Sequence, residues 1–236
     1  GRVDEGIRWA RDRMADWAPD NMMAVHNWWH LALYHLERDE IDTVLELYDQ
    51  SIRGGKSTVV LDMIDASAML WRLHLRGIEV GAARWAEIAD AWAPLVQDGF
   101  YAFNDVHGLI SFLGAGRKDL VEQQMASLQR STIEGKGSNA AMAAQVGLPV
   151  AEALIAFAEG RYAQTISRLR PVRAIAHRFG GSHAQRDLLE LTLIEAARRA
   201  NDVALVRALA AERLRVKPAS PLAQRYRFFA ADKIAA

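Results

Sequence analysis

The sequence predicts an all-α protein, a tetratricopeptide-like α-solenoid of antiparallel helix hairpins with irregular repeats. Three observations predict it. The 236-residue chain has six prolines, and alanine, leucine, arginine and glutamate dominate, so helix is the default state. The breaks are short: Pro19, Gly54-Gly55, Gly77, Gly114 to Gly116, Gly135 to Gly137, Gly160, Gly180-Gly181 and Pro218. Short breaks favour helices packed against their sequence neighbours. Finally, two stretches carry small and large residues at the spacing of a helical repeat.

Helices are expected near 4–17, 21–37, 41–52, 58–76, 82–97, 104–113, 117–131, 139–158, 161–178, 183–200, 202–215 and 219–232. In the first repeat match, Trp28-x2-Leu31-Ala32 fits the opening of the tetratricopeptide signature, with His35 in the tyrosine place, and Val44-x3-Tyr48 fits its second half. The second is AEALIAFAEGRYAQTISRLRP, where Ala153, Gly160, Tyr162 and Leu169 stand at the small, turn, aromatic and large positions. A looser third match covers 187–214. Small residues let two helices approach, and large ones fill the gap between neighbouring hairpins. The two good matches are not separated by whole repeats of about 34 residues, so the middle is irregular. One α-solenoid domain over 1–236 is expected.

Composition excludes several classes. Lys plus Arg and Asp plus Glu are 29 each, a net charge of zero, so the chain as a whole does not attract a polyanion. Residues 198–236 hold nine basic and three acidic residues, which reads as a solvated helix face rather than a nucleic-acid surface. No cysteine occurs, which removes disulfides, thiolate catalysis and thiolate metal ligation. No stretch approaches the roughly 20 apolar residues of a membrane span, and no signal peptide is visible. A cytoplasmic protein is expected, with no nucleic-acid or membrane partner and no assigned oligomeric state.

Candidate chemistry lies at polar residues where packing would prefer apolar ones. In HNWWH, His26 and His30 share a helix face, because positions i and i+4 are neighbours. In the repeat reading Trp28 and Leu31 point into the hairpin, while His26 and Trp29 face a concave groove beside Asn27. Two imidazoles at this spacing can chelate a metal that finds a third ligand. No HExxH is present, and no cofactor is assigned. In VLDMIDASAMLWRL, Asp62 and Asp65 lie on one face of an apolar helix. Asp62 suits the positive helix start. Asp65, a turn further in, requires a partner such as His26, His30 or an arginine, since a lone buried carboxylate is costly. In FNDVHGL, Asn104 or Asp105 reads as an N-cap, leaving His107 on the first turn. In GGSHAQRDLLEL, Ser182 and Gln185 form a capping box, and Arg186 and Asp187 remain as a potential anion clamp or ion pair. RGGKST lacks the phosphate-loop spacing and GxSxG is missing; Ser57 there reads as an N-cap.

The stretches HNWWHLALYHLERDE, LDMIDASAMLWRL, FNDVHGL, VGLPVAEAL and GGSHAQRD, in this order, resemble the tetratricopeptide repeat protein 38 family. The resemblance implies an all-helical repeat fold and a chain similar to the C-terminal half of a longer protein, in keeping with an opening, GRVDEGIRWARDRM, that reads as a helix already under way. It implies no particular reaction. Three functional expectations follow. One is an interaction module that binds a peptide, a protein segment or its own N-terminal half in a groove lined by Trp29 and polar residues. The other is an enzyme or a small-ligand or metal-binding protein. Its acid–base residues would come from His26, His30, Asp65, Asp105 and His107, with Asn27, Asn104, Arg186 and Asp187 as ligand contacts. A purely structural subunit, docking through Trp9 and Trp17, is a third.

Overall fold

A computed structural model describes residues 2–135 and 137–235, and side chains as far as Lys233. The described residues are helical throughout, with no strand. The helices are α1 (Val3–Asp12), α2 (Met14–Trp17), α3 (Ala24–Glu37), α4 (Ile41–Leu47), α5 (Val60–Leu75), α6 (Ala82–Trp92) and α7 (Ala102–Gly114). They continue with α8 (Lys118–Ile133), α9 (Ser138–Met142), α10 (Leu148–Ala158), α11 (Tyr162–Val172), α12 (His183–Arg199), α13 (Val203–Val216) and α14 (Pro221–Ala235). The expected helices recur with small shifts. The one expected over 4–17 is broken at Arg13, and the one over 139–158 changes pitch. There a π-helical turn at Ala143–Gly147 joins α9 to α10, just before Pro149. Proline has no N–H to give to the preceding turn and crowds its carbonyl, and a widened turn accommodates both effects. A second π-helical turn, Tyr48–Ile52, ends the α4 helix.

The continuous helix Ser138–Ala158 also corrects the sequence reading on membrane spans. With 21 residues and a mean hydropathy of 1.6, it is long and apolar enough to cross a membrane, although half of that window is buried inside the protein. Its α10 part packs against α7, α8 and α11.

Where the sequence leads one to expect one domain, the helices group into two compact units: residues 1–69 with 201–236, and residues 70–200. In the first, α1 packs on α3, α3 on α4, and α13 on α14. Ile7, Ala10, Trp17 and Leu31 are buried together, with Trp28, Tyr34 and Leu47 packed against them. Trp17 meets Trp28 edge-on at 4.7 Å and donates its indole N–H to the Ala10 carbonyl at 2.9 Å. His35, buried, ties three helical segments: its Nδ1–H donates to Glu40 at 2.5 Å, and Arg11 donates to its Nε2 at 3.2 Å. Arg225 of α14 forms a two-pronged bond to Asp39 at 2.7 and 3.0 Å, which brings the C-terminal hairpin to the α3–α4 turn.

In the second unit, α6 packs on α7, α7 on α8, α10 on α11 and α11 on α12. Ala153, fully buried, is the small residue that lets α10 and α11 approach, and Thr165 donates to its carbonyl at 3.1 Å. Gly160 turns between them with φ +74°, a backbone region that glycine enters without steric cost. Leu169 is buried behind them. Trp71, on the part of α5 that belongs to this unit, packs on Phe157 at 5.7 Å and donates to Thr192 at 3.0 Å.

Candidate functional site

The first unit brings three of the candidate residues into one hydrogen-bonded chain. Asp65 lies within the second turn of α5 and is fully buried. His26 Nδ1–H donates to Asp65 Oδ2 at 2.7 Å, and the Nε2 atoms of His26 and His30 lie 3.1 Å apart. The sequence argument that Asp65 requires a partner therefore finds it in His26, 39 residues away. With its Nδ1–H given to the carboxylate, His26 uses Nε2 towards His30, accepting from the His30 Nε2–H when neutral and donating to the His30 Nε2 when protonated. The two rings meet nearly perpendicular at 4.6 Å, as the i, i+4 spacing on α3 allows.

Asp65 raises His26 above the ordinary histidine pKa, through its hydrogen bond first. Burial pulls the other way, and the charges of Asp65 and Asp62 add to the rise. Asp62, one turn nearer the start of α5, is buried with Oδ1 lacking a hydrogen-bond partner. His26 and His30 themselves are half-buried, so the chain runs from a sealed carboxylate towards the surface.

Trp29 corrects the sequence reading. It was expected in an open groove, but it is fully buried, while Trp28 is the half-buried member of the pair. Its indole stacks on His26 at 5.4 Å and meets His30 edge-on at 5.0 Å. It thus backs the two imidazoles instead of offering a face to a peptide. Asn27 is half-buried on the same helix.

The remaining candidates lie in the second unit. Neither Asn104 nor Asp105 is the N-cap of α7. The helix begins at Ala102, and the Ala102 N–H is met by Asn139 Oδ1 at 3.0 Å. Asp105 is then inside the helix and buried, opposite Gln124. Burial pushes its carboxyl up to about 7; a hydrogen bond with Gln124 works against this, and the Asp98 charge adds to it.

His107 stands in the second turn of α7, fully buried; its Nδ1–H donates to the Phe103 carbonyl at 2.7 Å. That fixes the neutral tautomer, with Nε2 a lone pair that has no partner. Burial holds His107 down at about 4, the backbone bond opposing and the Arg72 charge reinforcing. His107 is therefore a poor base and a permanent neutral ring near pH 7.

The Ser182–Gln185 capping box forms as expected, at 3.2 and 2.8 Å. Arg186 corrects the clamp reading. Its guanidinium folds back onto the carbonyls of Gly180, at 3.1 Å, and Gly181, so it braces its own turn. Asp187 lies 3.7 Å from Arg72, a residue the sequence argument passed over. Arg72 is 4% exposed and donates to the Ala184 carbonyl at 2.5 Å. Its signal was an arginine in the apolar run LWRLHL. Asn104 is half-buried. Among the described residues, no three His, Asp or Glu side chains surround a common point. No protein-family model matches the chain, and no solved structure matches it.

Proposed function

We propose that the chain is a tetratricopeptide-like helical-hairpin protein that binds a small ligand at His26, His30 and Asp65. In this reading the paired imidazoles are the reactive groups. The single observation that carries it is the hydrogen-bonded run from sealed Asp65 through His26 to half-buried His30. A structural purpose is served more cheaply by apolar packing, because a buried ionic pair seldom exceeds an apolar pair of similar volume in stability. A relay that ends at the surface has a chemical use: the carboxylate orients one imidazole, and the imidazoles can hand a proton to or from a bound molecule. The likeness to the tetratricopeptide repeat protein 38 family supports the helical-repeat reading, and the cysteine-free composition supports a cytoplasmic setting.

The peptide-groove reading has less support. Its aromatic, Trp29, is buried. The test is native mass spectrometry of the full chain after incubation with a cell metabolite extract. A bound small molecule is expected, and it is lost in His30→Ala. Identical spectra for the natural chain and His30→Ala would overturn the reading.

A further inference from the structure

We infer that α8 is a strap over the second unit that is loosened when the Asp105 carboxyl beneath it ionises. Asp105 is 5% exposed, faces the equally buried Gln124 of α8, and has one oxygen, Oδ2, without a hydrogen-bond partner. A carboxyl sealed in this way keeps its proton, because burial disfavours the charged form. The strap itself is weakly anchored. Of the 16 residues of α8, those buried are Leu120, Gln124, Ser127 and Leu128, and two of these are polar. By contrast, α10 buries six apolar side chains in 11 residues. A helix with few buried apolar contacts opens at lower cost than the whole fold. Glycines stand at both ends of α8, Gly116 with φ +68° before it and Gly137 with φ +82° after it. When α8 lifts, Asp105 meets water, and Leu128 leaves its place against Gly147 of the π-helical turn.

The charges around Asp105 oppose its ionisation or stand apart from it. Asp98, exposed in the turn before α7, acts on it with the same sign. On α8 the charged residues Lys118, Asp119, Glu122 and Arg130 are all exposed. On α6 they are Arg84, Glu87 and Asp90, and on α10 Glu152, which pairs with Arg168 at 3.0 Å. The π-helical turn before α10 carries none. Arg72 of α5 acts on His107. On α7 itself, His107 stands about 200° around the helix from Asp105. Lifting α8 therefore bares the carboxyl and leaves the imidazole sealed. The closed carboxyl titrates at about 7, and a solvated aspartate near 4. The closed strap thus binds a proton that the open one gives up, and its hold weakens as pH rises from about 4 to 7 and is constant above that.

The test is hydrogen exchange of the full chain, read by mass spectrometry from about pH 4.5 to 8 and corrected for the intrinsic pH dependence of amide exchange. In the natural chain the opening constant of α8 amides should rise by up to about tenfold per pH unit, the slope of one released proton, and level off above about pH 7. Amides of α12, in the same unit, should show a much smaller slope, because openings that reach them release His107 as well, and it opposes Asp105. Asp105→Asn should make the α8 profile flat. Should that variant fail to fold, Asp105→Ser, smaller and equally uncharged, takes its place. A flat α8 profile in the natural chain, an equal rise in α8 and α12, or a rise that survives in the uncharged variant overturns the inference.

Discussion

The fully buried carboxylate of Asp65 holds His26 Nδ1 at 2.7 Å and joins α5 to α3 across 39 residues of sequence. The bond has an energetic consequence that can be measured apart from any ligand. Replacing His26 by leucine leaves the carboxylate sealed and short of its imidazole. Breaking a buried pair from one side costs about 3–5 kcal/mol. Replacing both partners by leucine removes the charge as well, and most of that loss should return. Urea unfolding midpoints of His26→Leu, Asp65→Leu and the double variant check this. A double variant as unstable as the sum of the singles would mean that the two residues act independently.

This site also shows how far the sequence could be read. The i, i+4 histidines and the cost of a carboxylate on an apolar helix were both visible, and together they put His26 among the partners open to Asp65, beside His30 and an arginine. Trp29 was not legible, because α3 packs against both α1 and α4. A helix packed on two sides has no single apolar stripe to tell a groove residue from a core residue. The start of α7 was misread for another reason. Its first N–H is satisfied by Asn139, 37 residues downstream, so the local cap signal at Asn104 and Asp105 had no role. The π-helical turns at Tyr48–Ile52 and Ala143–Gly147 shift the phase of the residues that follow, which a fixed helical period cannot anticipate.

Asp105 and His107, two residues apart on α7, should oppose each other in the pH dependence of stability. The folded carboxyl of Asp105 titrates near 7, well above an unfolded aspartate. Its contribution is therefore fully present at low pH and is lost as pH rises from about 4 to 7. His107 is depressed to about 4 by burial. Its contribution is fully present above about 6.5 and is lost as pH falls towards 4. Between about pH 4 and 6.5 the two slopes have opposite sign and similar size, up to about 1.4 kcal/mol per pH unit each. Unfolding free energies measured across that range should thus be nearly flat as far as these residues decide them. Asp105→Asn should make stability rise with pH, and His107→Gln should make it fall. Parallel curves for all three proteins would contradict both assignments.

The pair Arg225 and Asp39 tests how much an ion pair holds at the surface. The two guanidinium bonds at 2.7 and 3.0 Å are well formed, but both side chains are more than a third exposed. Exposed pairs contribute about 0.2–1 kcal/mol and are screened by salt. Arg225→Ala should lower the thermal midpoint slightly at low ionic strength, and the difference should vanish in about 1 M salt. A loss that persists at high salt would assign the effect to packing of the arginine stem.

Gly114, the last residue of α7, lies against the ring of Trp85 from α6, which is itself buried. A β-carbon at this position would fall inside the van der Waals envelope of three indole atoms. Two effects of Gly114→Ala compete. Alanine favours helix by about 0.8–1 kcal/mol over glycine in a helix interior, and less at the final residue. Forcing a group into a packed core costs about 1–3 kcal/mol. The indole is rigid and only 5% exposed, so it cannot swing into solvent to relieve the overlap. The overlap should win, and Gly114→Ala should destabilise the protein by about 1–2 kcal/mol. Adding Trp85→Leu should restore part of the loss, because a smaller, flexible side chain leaves room for the methyl group. A chemical-denaturation cycle over the two single variants and the double variant reads the coupling directly. Additive losses would show that Gly114 serves its backbone conformation and not its contact with Trp85.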